Sequence, residues 1–281
     1  WADPLLLDEY VLPWYRNMSN GYSIYMPTSS WLKSMTRDFL PWYGDQITVS
    51  RNDWYNNSYG DVLKCRENEI TRRSLNEWTN CYTRIQSINL LLENAGKISE
   101  GSQKQRILGE AHFFRAYYYY MLLRRYGGVL LIDRTYDPLN DKTKFPRAPF
   151  ADMVAFIADE ASQAPVAYEQ ADAGRVTRGA ALMLKAKTYQ WASSPVFQRK
   201  EKDFLGFTDD RILDMLRQAK ATYEELFTLG YKLMTIEGTT QDEIKEEYRN
   251  IFLTKNSIES IFEVQHSDDG NFDTGFGHKL D

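Results

Sequence analysis

The chain has 281 residues, 43% hydrophobic and 26% charged, enough apolar side chain for one large core or two modest ones and against a disordered polymer. Its net charge of -5 argues against nucleic-acid binding, because phosphate contacts need clustered Lys and Arg and the pairs Arg72-Arg73 and Arg124-Arg125 are too short to supply them. No stretch approaches the roughly 18 apolar residues that cross a bilayer, and the two cysteines, Cys65 and Cys81, make no disulfide framework and leave the redox compartment open.

Trp1-Ala2-Asp3-Pro4 carries neither a basic n-region nor an apolar h-region and reads as a mature or trimmed N-terminus. The stretch from Pro41-Trp42-Tyr43-Gly44-Asp45 to Asn52-Asp53-Trp54-Tyr55-Asn56-Asn57-Ser58-Tyr59-Gly60-Asp61 lacks sustained helical or strand periodicity. Its composition suits a sugar: aromatic faces cover the C–H face of a pyranose while amides and carboxylates bond its hydroxyls. Trp42, Tyr43, Asp45, Trp54, Tyr55, Asn56 and Tyr59 are therefore candidate ligand contacts. The alternative is that Trp42 and Trp54 anchor loops on a helical core.

Amphipathic patterns predict helices over 74–95, 103–126, 150–163, 178–193 and 210–229. Cys81 falls on an apolar stripe of the first and reads as core. Ser102-Gln103-Lys104-Gln105 fits a capping box for the second, and Gly127-Gly128 its stop, since a left-handed glycine lets orphan carbonyls find donors. Within it, four consecutive tyrosines, Tyr117 to Tyr120, cover every face and read as packing residues. Arg115 reads as a structural donor to a neighbouring helix or loop. Val129 to Ile132 is expected to be a buried strand, and Ile258 to Gln265 a final one. Pro195 closes the fourth helix and Gly230 the fifth, whose stripe is Ile212, Leu213, Leu216, Ala219, Tyr223, Leu226 and Phe227.

The helices repeat. Gly109, Ala111, Ala116 and Tyr119 recur as Gly179, Ala181, Ala186 and Tyr189, a constant shift of 70 residues. Small residues at Cys81, Ala116, Ala151, Ala186 and Ala221 divide that shift into periods of 35, close to the tetratricopeptide length. The expected fold is mainly α, a superhelix of tetratricopeptide-like hairpins over about 74–230 with a few short strands and long loops.

No constellation for catalysis is present: no G-x-S-x-G elbow, P-loop, G-x-G-x-x-G helix start or H-E-x-x-H. His112, His266 and His278 lack ligand spacing, and His112 lies mid-helix among aromatics as a packed or surface residue. Asp268 to Asp273 is oxygen-rich, but an EF-hand started at Asp269 puts Thr274 at the glycine turn and Leu280 at the bidentate glutamate, so the loop reads as solvated. Phe272 and Phe276 on it are further, weaker sugar contacts. Neither a cofactor nor a metal is expected.

The wording Glu110-Ala111, Phe114-Arg115-Ala116 and Tyr126-Gly127-Gly128-Val129 resembles the signature of the SusD/RagB family of surface glycan-binding lipoproteins. Phe114 stands where that family commonly has Leu, and Leu130 where it has Pro; both stay apolar. Trp78, Tyr82, Ile85 and Asn89, then Asp159 and Ala161, then Asn256 through Val264 resemble further blocks, while the family's C-terminal Arg and Ala-Glu-Ala wording is not found. The resemblance implies a single SusD-like domain over 1–281, corresponding to the N-terminal half to two-thirds of such a protein. It also implies glycan capture without hydrolysis, with the 41–61 segment among the contacts, and delivery to a partner TonB-dependent, SusC-like outer-membrane transporter docked on the repeats. The implied location is the cell-surface face of the outer membrane, through an N-terminal lipid anchor outside these residues. Two alternatives are a helical-repeat scaffold that binds protein and no small ligand, and a glycoside hydrolase of helical fold.

Overall fold

The computed structural model describes residues 1, 3–16, 18, 77–137, 139, 145–164 and 174–263. Among them are seven α-helices: α1 Pro4–Arg16, α2 Trp78–Glu93, α3 Ser102–Tyr126, α4 Phe150–Gln163, α5 Arg178–Ala192, α6 Ile212–Phe227 and α7 Gln241–Leu253. Two compact units share the chain, the first of residues 1–12 and 81–265, the second of 13–80 and 266–281. The described part of the second holds the end of α1 and the first turn of α2, where the Asn80 amide donates to Glu77 Oε2 at 3.0 Å.

α3 is the centre of the first unit. Its buried residues fall on every face, from Ile107, Ala111 and Phe114 to the run Tyr118 to Leu123, so it is surrounded rather than laid on a surface. Tyr118, Tyr119 and Tyr120 are all buried, as the packing reading requires. α4 packs on α3, α5 on α4 and α6 on α5, the succession of a tetratricopeptide-like stack. α4 offers Phe150, Met153, Val154, Ile157, Ala158 and Ala161, three to four apart, and α5 its small residues Gly179, Ala180, Ala181 and Ala186. Small side chains let helix axes approach; a Cβ on Gly179 would meet the Tyr231 ring at 2.5 Å. The start of α4 and the end of α5 are tied by an aromatic cluster, with Phe150 ring centroids 5.3 Å from Phe197 and 5.1 Å from Phe207.

The shift of 70 residues is structural: Gly109, Ala111 and Ala116 of α3 are buried, and so are Gly179, Ala181 and Ala186 of α5. The finer period of 35 is not, because Ala151 and Ala221 are exposed. One repeat is a hairpin of two helices with long connections, so equivalent helices alternate.

Several local expectations are corrected. The N-cap of α3 is Gly101, with φ 149° and no side-chain cap bond, and Ser102 is already helical. Glycine alone tolerates that backbone, so the turn forms without the Ser hydroxyl. Val129 to Ile132 forms no strand; one antiparallel bridge joins Leu130 to Arg147. Side chains take over the other polar groups: the Tyr119 hydroxyl both receives the Ile132 N–H at 2.7 Å and donates to the Ile132 carbonyl at 2.9 Å. Residues 258–263 are likewise without strand, and 264–265 lie outside the described residues. On α6 the buried face is Ala219, Thr222 and Leu226, while Leu213, Leu216 and Phe227 are exposed, so the stripe is narrower than its sequence suggests. α1 and α7 are helices that the periodicity did not mark.

Candidate functional site

Trp42, Tyr43, Asp45, Trp54, Tyr55, Asn56, Tyr59 and Phe272 all lie outside the described residues, as do Phe276 and the loop from Asp268 to Asp273. What is described is the scaffold that follows the aromatic segment in sequence, α2 and α3 and the strap between α3 and α4, and it accounts for most of the signature residues.

The corner after α3 shows why two glycines stand there. Gly127 has φ 71°, and a Cβ on it would lie 2.5 Å from the Phe204 carbonyl. A Cβ on Gly128 would lie 2.0 Å from the Ala148 carbonyl. This closeness lets the Gly128 N–H donate to Phe204 O at 2.6 Å and the Ala148 N–H to Val129 O at 2.8 Å. Arg147 donates to the Gly128 carbonyl at 2.7 Å and to the Tyr126 carbonyl, its guanidinium 4.1 Å from the Phe204 ring centroid. Three separate chain segments are thus stitched together at one point.

Beyond the corner, one polar stripe of α2 holds the strap at 130–136. Tyr82, Gln86, Asn89 and Glu93 are spaced four, three and four residues apart, one face of a helix. The Tyr82 hydroxyl donates to Leu130 O at 2.7 Å, and the Asn89 amide to Ile132 O and Arg134 O, each at 2.9 Å. Gln86 pairs with both backbone groups of Tyr136, at 3.0 and 3.1 Å. Glu93 accepts from the Thr135 N–H at 2.7 Å and its hydroxyl at 2.5 Å. The hydroxyl bond and then the backbone bond from Thr135 hold the Glu93 carboxyl below its ordinary value. Burial pushes the Tyr82 and Tyr119 hydroxyls up, so both stay neutral donors.

Arg115 is the structural donor its position predicts. It grips Glu160 of α4 with two bonds of 2.7 Å, reaches Asn89 Oδ1 at 3.1 Å and faces the Asp133 carbonyl at 3.4 Å. His112 Nδ1 lies 3.0 Å from Glu160 Oε2, so this histidine serves the same buried network. Glu110 sits between Arg106 at 3.7 Å and Arg175 at 3.5 Å, and Arg106 also pairs with Asp8 of α1. Cys81 is buried, as the core reading expects. Gln86 and Glu93 escaped the sequence reading because their partners lie 50 and 42 residues away and belong to no motif. Among the described residues no group of three or more His, Cys, Asp or Glu is placed to hold a metal, and no helix is long and apolar enough to cross a membrane.

A family model for SusD-like proteins, described as starch-binding and associating with the outer membrane, matches residues 25–190, more than half of the chain. The chain belongs to the SusD-like family. Solved structures of similar architecture include a SusD-like protein from Bacteroides fragilis, 24% identical, with a TM-score of 0.59 over 96% of this chain and 46% of that one. A SusD homolog from Bacteroides thetaiotaomicron is 16% identical, with a TM-score of 0.63 over 96% of this chain and 55% of that one. A SusD-like carbohydrate binding protein from Bacteroides fragilis is 18% identical, with a TM-score of 0.57 over 84% and 42%. At such identities the likeness is one of fold, and it carries the tetratricopeptide-like assignment. The chain spans about half the length of these relatives. No curated protein matches it.

Proposed function

We propose that this protein binds glycan at the cell surface and passes it to a TonB-dependent, SusC-like transporter, without cleaving it. The observation that carries the reading is membership of a family described as starch-binding and outer-membrane-associated, through a match whose residues 25–190 include the aromatic segment at 41–61. A structural relative named as carbohydrate binding lends support. In this reading residues 1–281 belong to one SusD-like domain, and a lipid anchor holds the protein on the outer membrane. The physics of the segment agrees. Trp42, Tyr43, Trp54, Tyr55 and Tyr59 supply ring faces, Asp45 and Asn56 supply hydroxyl partners, and Phe272 adds a ring from a second loop.

The test is titration of the full-length protein with amylopectin and a panel of other soluble polysaccharides, read by tryptophan fluorescence. Saturable quenching by one of them, lost in Trp42→Ala or Trp54→Ala, is the expected result. Release of reducing ends from the bound polysaccharide would instead make the protein a hydrolase. Affinity capture of the transporter from native membranes tests the partner, and capture that is unchanged without this protein on the resin defeats that part.

A further inference from the structure

We propose a second saccharide contact on the described scaffold, the ring pair Tyr136 and Phe145 with the Arg134 guanidinium beside it. It rests on the glycan-binding reading above and adds to it a site distinct in sequence from residues 41–61.

The first observation is how firmly the loop is held. Gln86 occupies both backbone groups of Tyr136, Glu93 both donors of Thr135, and Asn89 the carbonyls on either side of Asp133. An irregular segment fixed this way loses little further entropy when it meets a ligand, and that is what preorganisation contributes to affinity. Tyr136 as a residue is 37% exposed.

The second observation is what the loop presents. The Tyr136 and Phe145 rings lie 6.0 Å apart at 66°, forming an angled apolar surface. The exposed Arg134 guanidinium lies over the Phe145 ring, 5.7 Å from its centroid, and donates from one terminal nitrogen to the Thr135 carbonyl at 3.2 Å. An exposed tyrosine ring next to a charged donor suits a pyranose, which has C–H groups on one face and hydroxyls around its rim.

The experiment measures affinity of the full-length protein for amylopectin, dextran, xyloglucan, arabinoxylan and pectic galactan by retardation in polysaccharide-containing native gels. The variants are Tyr136→Ala, Tyr136→Phe, Phe145→Ala and Trp42→Ala, each with a thermal melt. The expected result is about tenfold weaker retention, some 1.4 kcal/mol, by Tyr136→Ala and Phe145→Ala. Tyr136→Phe should keep affinity and all midpoints should stay near that of the parent. Parent-like affinity in both alanine variants, with binding lost in Trp42→Ala, overturns this site and leaves the general reading intact. Weaker retention accompanied by a matching fall in midpoint also overturns it, because the rings then act only in folding. No retention of the parent by any of the five overturns the general reading and this site with it.

Discussion

Arg115 and Glu160 form a two-pronged ion pair between α3 and α4, with Nε donating to Oε2 and a terminal nitrogen to Oε1, both at 2.7 Å. Their side chains are 10% and 5% exposed. Arg115 also contacts Asn89, which holds the strap, so the pair joins two hairpins and the strap through one guanidinium. Removing one partner of a buried pair leaves an uncompensated charge, which costs about 3 to 5 kcal/mol. Glu160→Ala and Arg115→Ala are therefore expected to lower stability by about that amount, measured by urea denaturation. The double variant should lose less than the sum, because neither charge is then left alone.

The same carboxylate sets an acid dependence. Burial alone would raise the Glu160 carboxyl, but the hydrogen bonds from His112 and Arg115 and the charge of Arg115 outweigh it and hold the group below its ordinary value. A carboxyl lowered by folding adds stability that is present above its unfolded value, about 4.3, and is lost as pH falls through the folded value. The stability curve of the parent should thus fall below about pH 4.3 with a component that Glu160→Gln removes. Unfolding free energies from pH 7 down to pH 3, compared between the two proteins, check this, and parallel curves would contradict it.

What could be read from the sequence follows from what is local. α4 is bounded as its pattern predicts, because Phe150 through Ala161 carry a clean period and Pro149 precedes them. α7 was missed although it has a complete capping box, Thr240 to Glu243, since none of its residues is buried. The box expected at Ser102 to Gln105 is replaced by a glycine turn, and a glycine's dihedral angles are not written in its neighbours. The candidate sugar residues at 42–59 rest on composition alone, where the sequence carries no sustained period, and they lie outside the described residues. The clamp on Tyr136 was invisible for a different reason: it joins α2 to a strap more than 40 residues on, and only folding makes Gln86 and Glu93 neighbours of that backbone.

The double glycine offers a sharper mutational contrast. Gly128→Ala would place a methyl 2.0 Å from the Ala148 carbonyl, a backbone atom that cannot rotate away. Gly127→Ala adds strain at φ 71° to a contact of 2.5 Å with the Phe204 carbonyl. Each is expected to cost about 3 kcal/mol, at the upper end for overpacking. Gly96, in the short turn Ala95–Lys97, has no atom within 4 Å of its would-be Cβ, so Gly96→Ala should be neutral or stabilising by up to about 1 kcal/mol. Chemical denaturation of the three variants decides the matter, and equal midpoints would refute the close approach at the corner.

α7 depends on its own start. Thr240 Oγ1 accepts from the Glu243 N–H at 3.3 Å, and Glu243 Oε2 accepts from the N–H groups of Thr239 and Thr240, each at 2.9 Å. The backbone bonds from Thr240 and Thr239 lower the Glu243 carboxyl to about 2. No side chain of α7 is buried, so tertiary packing cannot replace the cap if it is lost. Thr240→Ala should therefore speed amide exchange across Gln241–Leu253 and leave exchange in α3 unchanged. With the carboxyl lowered by folding, the cap's contribution is intact above about pH 4.3 and fades only as pH falls toward 2, so α7 of the parent should keep its helical protection at pH 4. Exchange measured by mass spectrometry at pH 4 and pH 2.5 tests both statements, and uniform loss of protection along the whole chain in Thr240→Ala would show that α7 is not an independent unit.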